Sequence, residues 1–369
     1  MKKTSYKKFL QKIFKNFFYL LFKLKHGKIT YDKNIQKNLF KVENVIIENN
    51  NQVYSYSICF CLNSRLYTNR IQDTAVIKNN ILLDKPSFQL RDNKFDPDIK
   101  KNIVLRNGTP NFQKKIDGSV LSLLTGGGGN NNFYHWLFDV LPRIGIVEKN
   151  INLKDIDYFL CPNLNKWQKE TLKLLGINSK RCLSSVKHRH IKANNIITTS
   201  HPYIISSDVI KDIENLPLWI SEWLRSKFLS LKSKKEFPKK IYIDRSDSQS
   251  NLKDFRYIVN ETEVINLLKK KNFVTVRLSD LNFQEEIKLF NEVEIVIGLH
   301  GAGLSNLIWC NKNSKIIELK NKHTNNVFEN LAQQNNINYK SLKYEPIEKF
   351  ISDHYGSIKV DLDELNKLT

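Results

Sequence analysis

A histidine and an aspartate four residues apart are the first side chains of this sequence whose types and spacing could transfer protons. His135 and Asp139 lie in the segment FYHWLFDVLPR, whose other residues are mostly aromatic or aliphatic. On a helix, residues four apart share one face, so the two side chains would form a polar edge on an apolar segment. An imidazole beside a carboxylate suits general acid–base chemistry. The alternative is a buried, hydrogen-bonded cluster of His135, Asp139 and Arg143 that has no chemical role.

The helix that must hold this edge is predicted from its two ends. Asn132 is suited to cap the helix at its start, and Pro142 should end or kink it. Apolar residues, Trp136 among them, cover the remaining circumference and would anchor the helix in a core. The glycines from Gly126 to Gly129, just before the segment, predict a flexible approach to the helix.

A short glycine-containing turn between a strand and a helix is the second candidate for chemistry. In EIVIGLHGAGLSNLIWC, an apolar strand runs directly into His300-Gly301-Ala302-Gly303 and then into a helix. Small residues let backbone amides approach a ligand closely, and the start of a helix favours phosphate. We therefore predict a phosphate site to which His300 adds one donor. The segment lacks the spacing of a P-loop or of a dinucleotide fingerprint, and close strand–helix packing is the competing explanation for the glycines.

Charged residues are predicted to join this turn at the same edge of a sheet. Arg245 lies just past the strand KIYID, Arg256 follows a short polar loop, and Glu318 ends the strand KIIEL. Ligands of open α/β sheets bind beyond the carboxyl ends of the strands. Guanidinium groups there suit a diphosphate, and a carboxylate suits a ribose diol. Surface ion pairs for the arginines and a solvated strand end for Glu318 are the alternatives.

The elements that would position these residues divide the chain into two halves. Residues 36–125 look β-rich and irregular, and the segment that follows them mixes strands with helices. In the second half, strands alternate with single helices, which is typical of a parallel, doubly wound sheet. Lysines and a proline crowd residues 232–239, where we place the linker between domains. Asn260 and Glu263 predict a capping box for the helix ETEVINLLKK.

The amino terminus predicts a basic amphipathic helix. Within residues 1–30, apolar residues recur at helical spacing and lysines fill the other positions. The longest apolar run, Phe17 to Phe22, is far shorter than the roughly 20 residues that span a bilayer. No small-residue cleavage site of a signal peptide follows it. We expect residues 2–25 to lie on an anionic membrane surface, and packing on the chain's own domain or on a partner is the alternative.

Composition narrows the classes of protein to which the chain could belong. The 369 residues include 59 Lys and Arg against 37 Asp and Glu, and the net charge of +22 favours anionic partners. The lysines are dispersed and no helix-turn-helix or zinc pattern is present, so we expect no nucleic-acid partner. The 5 cysteines include no Cys-x-x-Cys pair, which disfavours a zinc site or a disulfide framework. None of the Asp-x-Asp patterns suits a metal–phosphate clamp, so we expect no metal.

Four motifs, in this order, resemble those of glycosyltransferase family 61. They are NNFYHWLFDVLPR, the pair IYIDRSDS and RYIVNETEV, then FQEEIKLFNEVEIVIGLHGAGLSNLIWC, and finally KIIEL, and the resemblance covers roughly residues 115–325. The resemblance implies a GT-B fold, in which two Rossmann-like domains face each other across a cleft. It also implies a metal-independent, inverting transfer from a nucleotide-diphosphate sugar, without a cofactor, in capsular polysaccharide biosynthesis.

The resemblance also implies roles for individual residues. Asp139 becomes the general base that removes a proton from the acceptor hydroxyl group, and His135 orients it or binds the acceptor, with the reverse assignment left open. Trp136 and Arg143 become candidates for binding the acceptor, which we expect to be a glycan or a lipid-linked saccharide. The alternative for Arg143 is that it neutralises Asp139. The donor-binding candidates are Arg245, Ser246, Arg256, His300, Gly301, Ala302, Gly303, Asn306 and Glu318.

The expected organisation is that of an α/β protein in four parts. They are the amphipathic helix at 1–30, an acceptor-side α/β domain at 36–231, a nucleotide-sugar-binding Rossmann-like domain at 239–345, and a carboxyl-terminal tail at 346–369. We expect the protein in a bacterial cytoplasm, at the inner face of the cytoplasmic membrane. The main alternative is a non-catalytic paralogue that binds sugar nucleotides or glycans, and nucleic-acid binding is a weaker one.

Overall fold

The computed structural model divides the chain into two compact units. Unit 1 comprises Met1–Val209 and unit 2 comprises Ile210–Thr369. The residues that the structure describes are 2–70, 73–87, 90–91, 94–95, 98–124, 131–206, 208–230, 235–246, 256–347 and 356–369. The flexible approach predicted at Gly126 to Gly129 lies outside the described residues, as does part of the linker predicted at 232–239.

Unit 1 is built on a mixed sheet of eight strands, as the β-rich sequence predicts. The order along the sheet is β4-β3-β2-β10-β7-β8-β9, with β1 also paired to β2. Strands β1 to β4 are antiparallel to their neighbours, whereas β10, β7, β8 and β9 run parallel. The strands are β1 (Lys41–Asn49), β2 (Gln52–Arg70), β3 (Asp73–Lys78), β4 (Ile81–Leu83), β7 (Lys114–Ser122), β8 (Tyr158–Cys161), β9 (Cys182–Ser184) and β10 (His190–Thr199), and β5 (Leu90–Arg91) pairs with β6 (Lys94–Phe95) apart from them.

Among the residues of unit 1 that the structure describes, four helices longer than the short 3₁₀ turns accompany the sheet, and one of them contains a π-helical turn. They are α1 (Lys2–His26), α2 (Ile103–Asn107), the helix that joins α3 (Phe133–His135) through Trp136–Val140 to α4 (Leu141–Val147), and α5 (Lys166–Leu174). The side chain of Asn132 accepts a hydrogen bond from the amide of His135, which confirms the predicted cap. The amide of Leu141 bonds to the carbonyl of Trp136, five residues back, just before Pro142. The helix therefore widens before Pro142 and continues past it instead of ending there.

The amino-terminal helix α1 is attached to unit 1 at its carboxyl end. Phe22 is buried, and its ring lies 5.1 Å from that of Phe112. His26 Nε2 lies 3.2 Å from the carbonyl oxygen of Asn111. The preceding turns leave apolar side chains exposed, namely Ile13, Phe14, Phe17, Phe18, Leu20, Leu21 and Leu24. Within the part of the chain that the structure describes, no helix is both long and apolar enough to cross a bilayer.

Unit 2 is a five-stranded parallel sheet of doubly wound topology, as predicted. The order β12-β11-β13-β14-β15 places the first strand between the second and the third. Helices α8 and α11 pack on one face, where Tyr242, Val264, Ile297 and Leu365 share a core. The elements are α6 (Val209–Glu214), α7 (Leu218–Phe228), β11 (Lys240–Asp244), α8 (Glu261–Lys270), β12 (Val274–Arg277), α9 (Phe283–Glu292), β13 (Ile295–Leu299), a 3₁₀ helix (Ala302–Trp309), β14 (Lys315–Asn321), α10 (Val327–Gln334), β15 (Asn338–Tyr344) and α11 (Leu362–Leu368).

Two local predictions for unit 2 differ from the structure for one shared reason. The side chain of Asn260 does not cap α8, because it exchanges two hydrogen bonds of 2.9 Å with the backbone of Val360. The segment predicted as a tail beyond the domain therefore packs on it, and Val360 and Leu365 are buried. The predicted capping box is wrong because a distant segment supplies the partners of Asn260.

The division between the units falls earlier in the chain than the predicted linker. Helices α6 and α7 precede that linker, yet they bond to α10 in unit 2. Glu214 accepts a hydrogen bond of 2.9 Å from the amide of Asn326, and Ser221 accepts one of 3.4 Å from Asn335. The linker was predicted from composition, which shows only where a chain is polar. The hydrogen bonds that attach α6 and α7 to unit 2 involve residues more than a hundred positions away, which composition does not indicate.

Candidate functional site

The His135–Asp139 pair predicted in unit 1 forms, and the two side chains differ in exposure. His135 Nδ1 lies 2.9 Å from Asp139 Oδ2. The side chain of His135 is 35% exposed and that of Asp139 is 4% exposed. Asp139 lies in the π-helical turn, a feature that often occurs at functional sites. The ring of His135, and not the carboxylate, is therefore the group that a substrate could reach.

Side chains that follow β10 complete the surroundings of Asp139. The hydroxyl group of Tyr203 donates a hydrogen bond of 2.6 Å to Asp139 Oδ1. His201 Nδ1 accepts hydrogen bonds of 3.3 and 3.1 Å from the amides of Tyr203 and Ile204, which holds this short turn. Arg143 Nε donates to the backbone carbonyl of Asp139 at 2.8 Å. Asp139 thus has a partner on each carboxylate oxygen and on its carbonyl.

The pair in unit 1 favours the charged form of both members. Burial alone would raise the pKa of Asp139, but the charge and hydrogen bond of His135, with His201 and Tyr203, outweigh it and lower the pKa. Burial alone would lower the pKa of His135, but the charge and hydrogen bond of Asp139 raise it above its ordinary value. The carboxylate of Asp139 thus holds the imidazole of His135 through Nδ1, and Nε2 is the ring nitrogen on the side away from the carboxylate.

The two residues predicted to bind an acceptor in unit 1 are buried. Trp136 is 0% exposed, and its indole nitrogen donates a hydrogen bond of 2.8 Å to Thr171. Arg143 is also 0% exposed and donates to Asp139 and to Thr199. Burial lowers the pKa of Arg143 to about 10, partly offset by Asp139 and Tyr203. Neither side chain is presented to an acceptor, because both are used to hold the helix that contains Asp139.

The second candidate site lies at the switch point of the sheet in unit 2. Strands β12 and β13 flank β11 on opposite sides, so their connections leave a crevice at the carboxyl ends of β11 and β13. Arg245 follows β11 and His300 follows β13, and Arg245 Nη1 donates a hydrogen bond of 2.7 Å to the carbonyl of His300. A Cβ atom on Gly301 would lie 3.0 Å from that guanidinium, which explains the glycine.

His300 is the centre of a buried polar network in unit 2. Its Nδ1 lies 2.6 Å from Glu318 Oε1. Glu318 Oε2 lies 3.3 Å from Lys320 Nζ and accepts a hydrogen bond from the hydroxyl group of Tyr339. Burial lowers the pKa of His300, Glu318 raises it, and the charges of Arg256 and Lys320 lower it, so the pKa is below its ordinary value. The structure thereby brings Arg256 into the electrostatic neighbourhood of His300, as predicted.

Glu318 lies in a different place from the one predicted. The strand continues beyond it to Asn321, and the side chain is 1% exposed. Burial alone would raise the pKa of Glu318, but His300, Lys320 and Tyr339 together lower it. An ionised carboxylate whose oxygens are already bonded to His300, Lys320 and Tyr339 is not presented to a ribose, so we correct its role from ligand contact to positioning of His300.

Three other predicted donor residues have structural partners. The hydroxyl group of Ser246 donates a hydrogen bond of 2.8 Å to Asp244. A Cβ atom on Gly303 would lie 3.0 Å from Leu278, which fits the close-packing explanation for this glycine. Asn306 is fully buried and bonds to Glu286 and to Trp309. Ala302 begins the 3₁₀ helix, as the turn predicts.

Sequence reasoning missed several residues of both sites. Arg277 ends β12 at the same edge as Arg245, and it bonds to Ser246 at 3.1 Å and lies 3.3 Å from Asp244. The rule that selected Arg245 would also have selected Arg277, because both arginines lie at strand ends. Tyr203 and Lys320 gave no comparable pattern, since their contacts with Asp139 and Glu318 depend on the folded chain. The remaining residues missed were His201 and Tyr339.

Comparison with known proteins identifies related sequences for the region that holds both sites. The sequence model of the family described as Glycosyltransferase 61 matches residues 133–317, half of the 369-residue chain. The matched range contains the pair in unit 1 and the loops with Arg245 and His300, and it ends one residue before Glu318.

Shorter matches occur with animal enzymes. The chain is 32% identical over 91 residues to the EGF domain-specific O-linked N-acetylglucosamine transferase of Gallus gallus and 31% identical over 91 residues to that of Mus musculus. It is 29% identical over 90 residues to that of Drosophila melanogaster. The matched segments cover 23 to 24% of this chain and 17% of each relative's length.

Proposed function

Since the chain belongs to glycosyltransferase family 61, we propose that it transfers a sugar from a nucleotide-diphosphate sugar to a hydroxyl group of a glycan or lipid-linked saccharide. The observation that carries this proposal is the contact between Arg245 and His300 at the switch point of a parallel sheet. Ligands of doubly wound sheets bind at this place. The names of the animal relatives support sugar transfer as the reaction class, and they leave open the sugar and the nucleotide base of this chain's donor.

The donor diphosphate is proposed to bind among the cations of unit 2. Arg245 and Arg277 end neighbouring strands, and Arg256 acts on His300 by its charge. Guanidinium groups bind phosphate oxygens in a bidentate manner and stay charged. They would stabilise the negative charge that develops on the leaving diphosphate. We propose that these arginines serve in place of a metal ion.

The base of the reaction is proposed to be His135, with Asp139 as the residue that positions it. The buried carboxylate holds Nδ1 of the imidazole, and 35% of the His135 side chain is exposed. Asp139 raises the pKa of His135 despite burial, which makes its ring a stronger base. This exchanges the roles that the sequence favoured, because the carboxylate is enclosed and the ring is not.

The proposed reaction is a single displacement with inversion at the anomeric carbon. The acceptor oxygen bonds to that carbon while the bond from the carbon to the diphosphate oxygen breaks. The proton of the acceptor hydroxyl group moves to Nε2 of His135, and the electron pair of the broken bond leaves with the diphosphate. The GT-B arrangement, which the family resemblance implies, and a role in bacterial surface polysaccharide synthesis belong to the same proposal.

Nucleotide-sugar binding and turnover test the proposal. A panel of UDP-, GDP-, ADP- and dTDP-linked sugars should contain at least one that raises the melting temperature, since a ligand of the folded state stabilises it by mass action. The variant Arg245→Gln should reduce that shift, and Lys288→Gln on α9 should not. If no nucleotide sugar raises the melting temperature, the donor site is absent. Binding with no release of nucleoside diphosphate, in the presence of a mixed glycan acceptor pool, would favour a non-catalytic paralogue.

A second proposal concerns α1, which we infer binds the surface of an anionic membrane. Phe14, Phe17, Leu20 and Leu24 are 60 to 78% exposed, and at 100° per residue they lie on one side of the helix. Residues 1–31 contain no acidic residue and several lysines. A basic helix with one apolar side lies in the interface of anionic bilayers. The proposed location is the inner face of a bacterial cytoplasmic membrane.

Vesicle binding tests this second proposal. The full chain should sediment with vesicles that contain phosphatidylglycerol and much less with pure phosphatidylcholine. Replacing Phe14 and Phe17 by Gln should weaken binding by roughly tenfold or more for each side chain, because burying a phenylalanine contributes about 1.5–3 kcal/mol. Val53→Gln, at an exposed apolar position of β2, is the matched control. If the double variant binds vesicles normally, or if α1 proves to join two copies of the chain in solution, the membrane proposal fails.

A further inference from the structure

The ring of His300 has a fixed orientation and a defined partner. Its Nδ1 lies 2.6 Å from Glu318 Oε1, and its backbone amide donates to the carbonyl of Leu319 at 2.9 Å. Glu318 and Lys320 are each 1% exposed or less and lie 3.3 Å apart. Lys320 Nζ also donates to the carbonyl of Asn325 at 2.9 Å. The charges of Glu318 and Lys320 are opposite, and imidazole is the side-chain group whose charge ordinarily changes near neutral pH.

The hydrogen bond to Glu318 determines which nitrogen of His300 holds the proton. Tyr339 donates to Glu318, and Lys320 lies beside it, so the carboxylate is ionised and can only accept. The proton of a neutral imidazole must therefore reside on Nδ1. Nε2 then has a lone pair, and a lone pair repels the oxygen of a phosphate group. In its neutral form, His300 has no donor for the diphosphate that the site is proposed to bind.

We propose that His300 takes up one proton from solvent when a nucleotide-diphosphate sugar binds, and that Glu318 positions the resulting imidazolium so that Nε2–H donates to the diphosphate. This inference rests on the proposed donor site. No covalent bond forms or breaks in the step, and the proton is the only species exchanged with solvent. Binding of the donor thereby depends on pH even though the donor itself does not titrate.

The charges that face His300 support a change of protonation on binding. In the empty site, burial and the cations Arg256 and Lys320 lower the pKa of His300, against the opposing effect of Glu318. The other described neighbours are the guanidinium of Arg245, bonded to the carbonyl of His300, and the ring of Phe328 on α10, at 5.1 Å. A bound diphosphate adds negative charge beside these cations, which raises the pKa of the ring.

Calorimetry of nucleotide-sugar binding tests the inference directly. The full chain is titrated at pH 7.0 with the UDP-, GDP-, ADP- and dTDP-linked sugars, in Pipes and in Tris, which differ in their heat of ionisation. Each phosphate of a nucleotide-diphosphate sugar has one ester and one anhydride bond, and its single acidic group stays ionised at this pH, so a buffer-dependent heat measures proton uptake by the protein. The expected result is uptake approaching one proton per sugar nucleotide, with affinity falling by up to about tenfold per pH unit between the pKa of the free ring and the raised pKa of the bound ring.

Variants separate the role of His300 from that of the donor site. His300→Gln keeps an amide donor and cannot titrate, so it should bind without proton uptake and without pH dependence. Glu318→Gln should bind about tenfold or more weakly and should take up less proton. His188→Gln, in unit 1, should match the unaltered chain. Binding without uptake by the unaltered chain overturns this inference alone, whereas failure of every nucleotide sugar to bind overturns the proposed function as well.

Discussion

Two histidines of this chain each donate Nδ1–H to a carboxylate, and their surroundings give them opposite properties. The pair in unit 1 joins His135 to Asp139 at 2.9 Å, and the pair in unit 2 joins His300 to Glu318 at 2.6 Å. Asp139 raises the pKa of His135 above its ordinary value despite burial, whereas burial, Arg256 and Lys320 keep the pKa of His300 below it. The same two functional groups therefore raise the pKa of the ring in one unit and leave it lowered in the other.

The difference comes from the burial of each ring and from the charges near it. The side chain of His135 is 35% exposed, and Asp139 receives its second hydrogen bond from the neutral hydroxyl group of Tyr203. Glu318 shares its charge with Lys320, which lies 3.3 Å away. The pKa of a histidine beside a carboxylate thus depends on burial and on neighbouring charges as well as on the pair's own geometry. The pair in unit 1 is proposed to remove a proton from an acceptor, and the pair in unit 2 is proposed to become charged when an anion binds.

The largest effect is expected from removal of the base in unit 1. His135→Asn should lower the turnover number by about 10²- to 10⁴-fold, since a positioned general base contributes that much. Its affinity for the nucleotide sugar should stay unchanged, because the proposed donor site lies in unit 2. Steady-state kinetics and calorimetry on the same preparation measure both quantities. His188→Asn is the control, and near-normal turnover by His135→Asn would show that the ring is not the base.

Asp139→Asn should have a smaller effect with a different signature. Loss of a hydrogen bond to a charged group corresponds to roughly a 10- to 150-fold decrease in turnover. Because Asp139 raises the pKa of His135, the variant should also move the acidic limb of the pH–rate profile to lower pH. Tyr203→Phe, which keeps the carboxylate, should shift that limb only slightly. A variant in which turnover is lost completely and no acidic limb remains would instead make Asp139 the base.

The comparison also indicates what the sequence could and could not predict. Spacing along one helix predicted the contact between His135 and Asp139, because residues four apart meet wherever a helix forms. Position at strand ends predicted that Arg245 and His300 meet at one edge of a sheet. The burial of Asp139 and of Glu318 was not predictable, because it depends on segments distant in the chain.

The exchanged roles proposed for His135 and Asp139, and the corrected role of Glu318, follow from that limit. Tyr203 lies 64 residues from Asp139, and Tyr339 lies 21 residues from Glu318, and neither tyrosine stands in a motif. Residue type and spacing identified the groups that do chemistry, and tertiary packing decided which member of each pair is accessible. The same limit explains Asn260, whose side chain bonds to Val360 one hundred positions away instead of capping its helix.

The comparison also applies to stability in acid, because burial lowers the pKa of two further histidines in unit 1, as it does that of His300. Burial lowers the pKa of His201 to about 3 and that of His190 to about 4. Both rings are neutral in the folded state, so below pH 6.5 the unfolded chain binds more protons and the free energy of unfolding falls. As the pH falls from 6.5 to the pKa of each ring in the folded state, each histidine should lower the free energy of unfolding by about 1.4 kcal/mol per pH unit.

His135 should have the opposite effect, because its pKa is raised in the folded state. Its contribution to stability is complete below pH 6.5 and is lost as the pH rises through the raised value. Urea unfolding of the full chain at pH 7.5, 6.5 and 5.5, monitored by circular dichroism, measures the sum of these histidine contributions to the free energy of unfolding. His201→Gln, whose amide oxygen can still accept from the turn, should flatten the acidic decline. An unfolding midpoint that rises on acidification would contradict the assignment of neutral rings.

The smallest effect should come from substitution of Arg277. This substitution tests whether the cations that act on the anion site include Arg277 at the end of β12. The side chain of Arg277 is 45% exposed and already lies 3.3 Å from Asp244. Solvent screening and this existing partner limit what it adds, so Arg277→Gln should weaken nucleotide-sugar binding by about two- to fivefold, the range of an exposed charge pair. The decrease should shrink as salt is added, because exposed charges are screened. Lys288→Gln, which removes an equal charge on α9, should not change affinity. If both substitutions weaken binding equally, Arg277 acts only through the overall charge of the unit, and the anion site is confined to Arg245, Arg256 and His300.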